Sequence, residues 1–203
     1  MTDTPSLASF ALTDLAPFTS EKALPANASR DHLMMFVGRD DVHDALKHVL
    51  GRVTRSLYVN MFGYDDDELN DLIMGIVTNP AITVMITLDK SQAGGVHERK
   101  LLDADRAHSL ADFNSHFVIG QSSTHQISHT KGFVADGVVG CHGSTNWSAS
   151  GEGTFVVKGQ PGGAGFHAQN NTQSFFIDPL SVARFQGELI TEHLAAAKQG
   201  ASK

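Results

Sequence analysis

Ile127-Ser-His129-Thr-Lys131-Gly-Phe-Val-Ala-Asp136, followed shortly by Gly143-Ser144-Thr145-Asn146, is the most informative stretch of the chain. The apolar character of Ile127 to Ala135 and of Val138 to Cys141 predicts two strands, and Asp136-Gly137 between them supplies the positive φ that a tight hairpin requires. Residues two apart on a strand share a face, so this reading sets the His129 imidazole beside the Lys131 ammonium; Ser144 and Asn146 are also two apart. A ring nitrogen free to attack, a fixed positive charge, a hydroxyl and a carboxamide form a set suited to phosphoryl transfer. Such chemistry needs a positioned nucleophile and donors for the equatorial oxygens of a tetrahedral anion. With residues treated as independent, a His-x-Lys followed by four residues and Asp arises by chance about 0.03 times in such a chain, before Gly-Ser-x-Asn is added.

On either side of that stretch the pattern is α/β. Val42, Ala45, Leu46, Val49, Leu50 and Val53 recur at helical spacing, with Asp40 or Asp41 placed to cap the start. Ser56 to Phe62 is a β-rich run. Asp65 to Glu68 then leads into Leu69, Leu72, Ile73, Ile76 and Val77, with acidic residues where a helix N-terminus favours them. Asn79-Pro80 stops that helix, and Ala81 to Leu88 is a nearly continuous apolar strand of the kind buried on both faces. A polar helical candidate spans Val96 to His108, and a β-like stretch spans His116 to Ile119. Thr172 to Ile177 returns to strand character. Asp178-Pro179 opens a last helix carrying Leu180, Ala183, Leu189, Ile190 and Leu194. The expected fold is a mixed β-sheet flanked by helices on both faces. Residues 1–30 show no sustained period and are expected to be a tail or an arm on a domain spanning 31–203. Residues 148–171, rich in glycine, are expected to be a flexible loop.

Composition bounds the function. The chain has 203 residues, 22 acidic against 15 basic, and a net charge of −7, which argues against a general polyanion coat. A single cysteine, Cys141, excludes an internal disulfide and any multi-cysteine zinc module, and its apolar strand position points to inert packing. No apolar run has the length of a membrane span, and no leader pattern stands at the N-terminus, so a cytoplasmic protein is expected.

On the residues quoted above, the chain resembles the phospholipase D superfamily, whose signature is HxK(x4)D followed by GSxN. The order of helices and strands from Phe36 to Lys198 is similar to that family as well. The resemblance implies a phosphodiesterase that needs no metal or other cofactor: His129 as nucleophile forming a phosphohistidine, Lys131 holding the phosphate, and Ser144 and Asn146 donating hydrogen bonds. Family members use two such motifs per active site, whereas of the 11 histidines here only His129 is followed two positions later by lysine. The resemblance therefore implies a homodimer in which two copies of His129 face each other across a twofold axis. It implies a structural role for Asp136. Where relatives carry a carboxylate that orients the imidazole, Asn171-Thr172-Gln173 has an amide, leaving Glu152 to take that role or the activity weakened. Compact single-motif members include nucleases, which favours nucleic acid as substrate. The alternatives are a phospholipase acting on headgroups, and a catalytically silent phosphate-binding or assembly module.

Other features read more plainly. His125, His129, His142 and His167 lack the spacing and the carboxylate of a metal set. Asp65 to Glu68 reads as a helix N-terminal charge cluster before a cation site. Trp147 reads as packing beside Asn146, and Met34 and Met35 as core or interface filler. Two copies of Lys131, with protonatable His129, His125 and His142, would concentrate positive charge in one cleft of an acidic particle.

Overall fold

Val42, Ala45, Leu46, Val49 and Leu50 lie on one face of helix α1 (Val42–Leu50) and are fully buried, as their spacing requires. Asp41 caps α1 by accepting the Asp44 N–H at 3.1 Å. Helix α2 (Asp67–Val77) starts from Asp66, whose Oδ1 accepts the Leu69 N–H at 2.7 Å. The computed structural model describes residues 6–89, 99, 103, 115–121 and 127–201. The helical candidate from Val96 to His108 therefore lies outside the described residues, Arg99 and Asp103 apart.

The strands are β1 (His32–Phe36), β2 (Ser56–Met61), β3 (Tyr64–Asp65), β4 (Thr83–Asp89), β5 (Ser115–Gly120), β6 (Gly132–Ala135), β7 (Val139–Gly143), β8 (Trp147–Ser148) and β9 (Thr172–Phe176). Seven of them form one sheet in the order β1-β9-β7-β6-β2-β4-β5. The β2, β4 and β5 strands run parallel, while β6, β7, β9 and β1 pair antiparallel in turn. β3 and β8 form a separate two-stranded parallel pair that joins Tyr64 to Trp147.

Pleat alternation divides the core. Leu57, Val59 and Met61 of β2 point into the large cluster with α1 and α2, whereas Tyr58 joins Val134, Phe176, Val182, Phe185 and Leu189 under the final helix α3 (Pro179–Ala201). Asp178 caps α3 through the Ser181 N–H at 2.8 Å. The buried stripe of α3 differs from the one expected. Val182 and Leu189 face the sheet, while Leu180 is 68% and Leu194 50% exposed. Close approach decides the phase, because Gly120 of β5 lies so near Ala196 that a Cβ there would fall 2.4 Å from the Ala196 Cβ.

Residues 6–20 lie along α1. Leu7, Leu12 and Leu15 are buried, Asp14 pairs with Arg52 at 2.9 Å, and the Ser20 N–H donates to Asp40 Oδ1 at 2.9 Å. Asp40 also accepts the Phe36 N–H at 2.8 Å, so one carboxylate ties this segment to the end of β1. Burial opposes its ionisation, but these backbone donors and the Arg39 guanidinium hold it below the usual carboxylate range. Met35 is core, while Met34 is exposed on the edge strand. The glycine-rich segment is not loop throughout: it begins with two helical turns, Ala149–Glu152 and Thr154–Val157. Ser148 caps the first by accepting the Gly151 N–H at 3.0 Å.

Candidate active site

Asn60 near the end of β2 and Asp89 at the end of β4 are buried polar residues closing apolar runs. They catch the segment that leads into the motif. The Ser128 N–H donates to Asp89 Oδ2 at 2.6 Å, and its hydroxyl donates to Asn60 Oδ1 at 2.9 Å. Those bonds replace ladder pairing, so His129 and Lys131 stand on a loop and not on the expected strand, which begins only at Gly132. The two side chains nevertheless share a neighbour. The Phe62 ring lies 4.7 Å from the His129 ring and 4.8 Å from Lys131 Nζ. The His129 ring is exposed, whereas Lys131 is 4% exposed and donates from Nζ to the His129 carbonyl at 2.8 Å. Burial pulls the Lys131 ammonium below the usual lysine range, and the face of Phe62 offsets part of that desolvation.

The second half of the motif is held against the first. The Gly143 N–H donates to the Lys131 carbonyl at 3.1 Å. Ser144 exchanges bonds with Thr172: its N–H donates to the Thr172 carbonyl at 3.0 Å and its Oγ accepts the Thr172 N–H at 3.1 Å. A hydroxyl that accepts there can still donate its own hydrogen. Asn146 packs on Gly63 so closely that a Cβ there would lie 2.9 Å from Asn146 Cγ, and Asn146 Oδ1 is buried without a hydrogen-bond partner. Phe62-Gly63 therefore touches both halves of the constellation. Sequence reasoning misses Asn60, Phe62, Asp89 and Ser128; only Asn60 and Asp89 carry a signal, as polar residues closing otherwise apolar strands.

Asp136 is built into the framework. Its carboxylate accepts the N–H groups of Thr54 (3.1 Å), Arg55 (2.8 Å) and Ser56 (2.9 Å) and the Thr54 hydroxyl (2.9 Å). It sits at φ 53° beside Gly137 at φ 68°, the hairpin geometry its sequence suggested.

Three expected placements change. Gln173 does not face His129: its Nε2 donates to Cys141 Sγ at 3.0 Å inside the core. Glu152 is fully buried and bonded to His43 Nδ1 at 2.5 Å, so neither residue hydrogen-bonds to the His129 imidazole. Burial pushes the Glu152 carboxyl up to about 7, against the pull of His43. Burial also works against a charged His43 ring, but Glu152, Asp66 and Glu68 outweigh it and raise its pKa. His142, opposite Gly132, turns to the α3 face between Phe176 and Phe185 and lines a cavity of 580 Å³ with His32 and Arg184. It thus contacts Phe185 of α3, whereas Lys131 contacts Phe62. His125 lies outside the described residues, and His167 is exposed. Burial raises the Cys141 thiol far above the usual range, which leaves it inert. His43, Asp66 and Glu152 are the one group among the described residues with the donor set for a metal ion. No helix among the described residues is long and apolar enough to cross a membrane.

No family model and no curated protein sequence matches the chain. Solved structures do. NucT from Helicobacter pylori superposes with a TM-score of 0.61 at 14% identity, covering 81% of this chain and 96% of that one. Nuc from Salmonella typhimurium, a phospholipase D family member, gives 0.55 at 11% identity, covering 80% and 94%. Phosphatidylserine synthase from Haemophilus influenzae gives 0.54 at 10% identity, covering 80% of this chain but 38% of that one. At these identities the likeness concerns the fold, and its sheet order and flanking helices are those built above: the chain has a phospholipase D-like fold.

Proposed function

We propose that the chain is a phosphodiesterase acting through a covalent phosphohistidine on His129, with nucleic acid as substrate. The observation that carries this reading is the convergence of both motif halves on Phe62-Gly63, with an exposed imidazole beside a buried ammonium. His129 attacks phosphorus in line; an N–P bond forms as the P–O bond to the leaving group breaks. A second imidazole protonates the leaving oxygen, then takes a proton from the water whose oxygen displaces His129. Lys131, Ser144 and Asn146 stabilise charge on the equatorial oxygens. The second imidazole is the His129 of another copy across a twofold axis. Ile127, 58% exposed and two residues from His129, supports a face that a second copy covers.

The net charge of −7 is compatible with a small, focused phosphate site and not with a broad basic track. A phospholipid headgroup is the second reading, favoured by the likeness to a phosphatidylserine synthase. Purified protein is assayed on bis(p-nitrophenyl) phosphate, DNA, RNA and phosphatidylcholine vesicles in parallel. We expect cleavage of the generic diester and of nucleic acid, and its loss in His129→Ala. Cleavage of vesicles alone transfers the assignment to lipid, and no turnover of any diester by the intact protein identifies a silent phosphate-binding module.

A further inference from the structure

His43 of α1, Asp66 at the start of α2 and Glu152 in the helical turn after β8 come from three separate elements, yet their ligand atoms lie within 4.8 Å of one another. All three are buried: His43 is 1%, Asp66 8% and Glu152 0% exposed. His43 Nδ1 is 2.5 Å from Glu152 Oε2 and 3.5 Å from Asp66 Oδ2. Asp66 uses its other oxygen, Oδ1, for the α2 cap, so Oδ2 is turned to the cluster. Glu152 Oε1 is buried with no hydrogen-bond partner, an expensive state for a carboxylate away from water.

One ring surrounded by two buried carboxylates leaves negative charge uncompensated, since a single proton on His43 balances only one of them. Glu68 does not change that balance, because Lys47 pairs with it. The same Glu68 Oε2 lies 3.4 Å from His43 Nε2, on the far side of the ring, without closing a hydrogen bond to it. A small approach of Glu68 would turn this contact into the hydrogen bond by which a carboxylate fixes the tautomer of a metal-bound histidine. We infer that His43, Asp66 and Glu152 form a binding site for a divalent first-row transition ion of the zinc class, with Glu68 as the outer partner of His43. The donor set, one imidazole and two carboxylates, suits Zn²⁺ or Mn²⁺ and excludes thiophilic ions. Ligands about 2.0–2.2 Å from one ion stand wider apart than the His43–Glu152 hydrogen bond. Binding therefore breaks that bond, releases its proton to solvent and opens the pair slightly. The ion is structural, since it ties α1 and the α2 N-terminus to the turn that follows Asn146-Trp147-Ser148.

The test uses the full chain, stripped with chelator and titrated with Zn²⁺, Mn²⁺ and Co²⁺, with bound metal counted after gel filtration. We expect one ion per chain, a raised melting temperature, and a Co²⁺ visible spectrum of nitrogen and oxygen coordination. Asp66→Asn keeps a good helix cap while removing the ligand charge, so it isolates the site from folding. It and His43→Gln should abolish the stoichiometric ion, Glu68→Gln should weaken affinity about 10–100-fold, and His142→Gln should change nothing. Wild type that binds none of the three ions overturns the inference. So does wild-type binding that Asp66→Asn and His43→Gln, shown by circular dichroism to be folded, leave intact.

Discussion

Replacing Asp136 separates framework from chemistry within the motif. Its carboxylate satisfies the backbone N–H groups of Thr54, Arg55 and Ser56 and the Thr54 hydroxyl, tying the β6–β7 hairpin to the entry of β2. In Asp136→Ala those donors lose their acceptor in a site where Asp136 is only 6% exposed. At roughly 1 kcal/mol for each orphaned donor, the loss is about 3–5 kcal/mol, a large part of a typical folding free energy. Alanine at φ 53° adds strain that asparagine does not. Asp136→Asn keeps one acceptor oxygen and loses the charge, so about half of that cost is expected. For a chain of this size the alanine variant should melt about 6–20 °C lower. Urea unfolding of the parent and both variants measures the cost. Activity on bis(p-nitrophenyl) phosphate, taken where each variant is folded, should stay within about threefold of the parent, because no part of Asp136 is placed on the reacting atoms. An alanine variant of parental stability that has lost activity a hundredfold would rule out a framework role and move Asp136 into the chemical step.

The other expectations are more local. Asp40→Ala orphans the Ser20 and Phe36 N–H groups and should cost about 2 kcal/mol by urea unfolding. Since Asp40 has a folded pKa below its ordinary 3.8, the stability its charge contributes is present above that value and disappears as pH falls through the lower folded one. The gap between parent and Asp40→Asn should therefore shrink at acid pH, and a constant gap counts against the charge as its source. Phe62→Leu removes the ring that contacts both His129 and Lys131, and kcat should fall about 10–100-fold with little change in melting temperature. In Gly63→Ala the new Cβ meets Asn146 Cγ at 2.9 Å, so Asn146 must shift; a parental kcat would show that its position is not critical.

Local patterns were legible where they have a period or a fixed geometry. The buried stripe of α1, the hairpin at Asp136-Gly137, the cap at Asp178 and the acidic start of α2 follow from neighbouring residues alone, whereas Asp41 over Asp40 and Asp66 within its cluster are chosen by the fold. The gathering of His129, Lys131, Ser144 and Asn146 into one motif is local as well, although not the loop on which the first two stand. That loop depends on Ser128 reaching Asn60 and Asp89, contacts with no local trace. The phase of α3 is set by Gly120 across the sheet and could not be read from Leu180 or Leu194. Glu152 is the clearest case. The resemblance offered it as one way to orient His129, whereas packing of the turn after β8 onto α1 gave it to His43. The side of the sheet on which His142 lies depends on register, which only pairing with Gly132 decides.

The proposed mechanism turns on a covalent bond between phosphorus and the His129 ring. Its most direct test is to quench the protein during turnover of a ³²P-labelled diester that it cleaves, and to look for label on the chain. A phosphohistidine gives label that survives alkali, is released by acid, maps to the peptide containing His129 and is absent from His129→Ala. Turnover without any trapped label, or label that persists in His129→Ala, would contradict it.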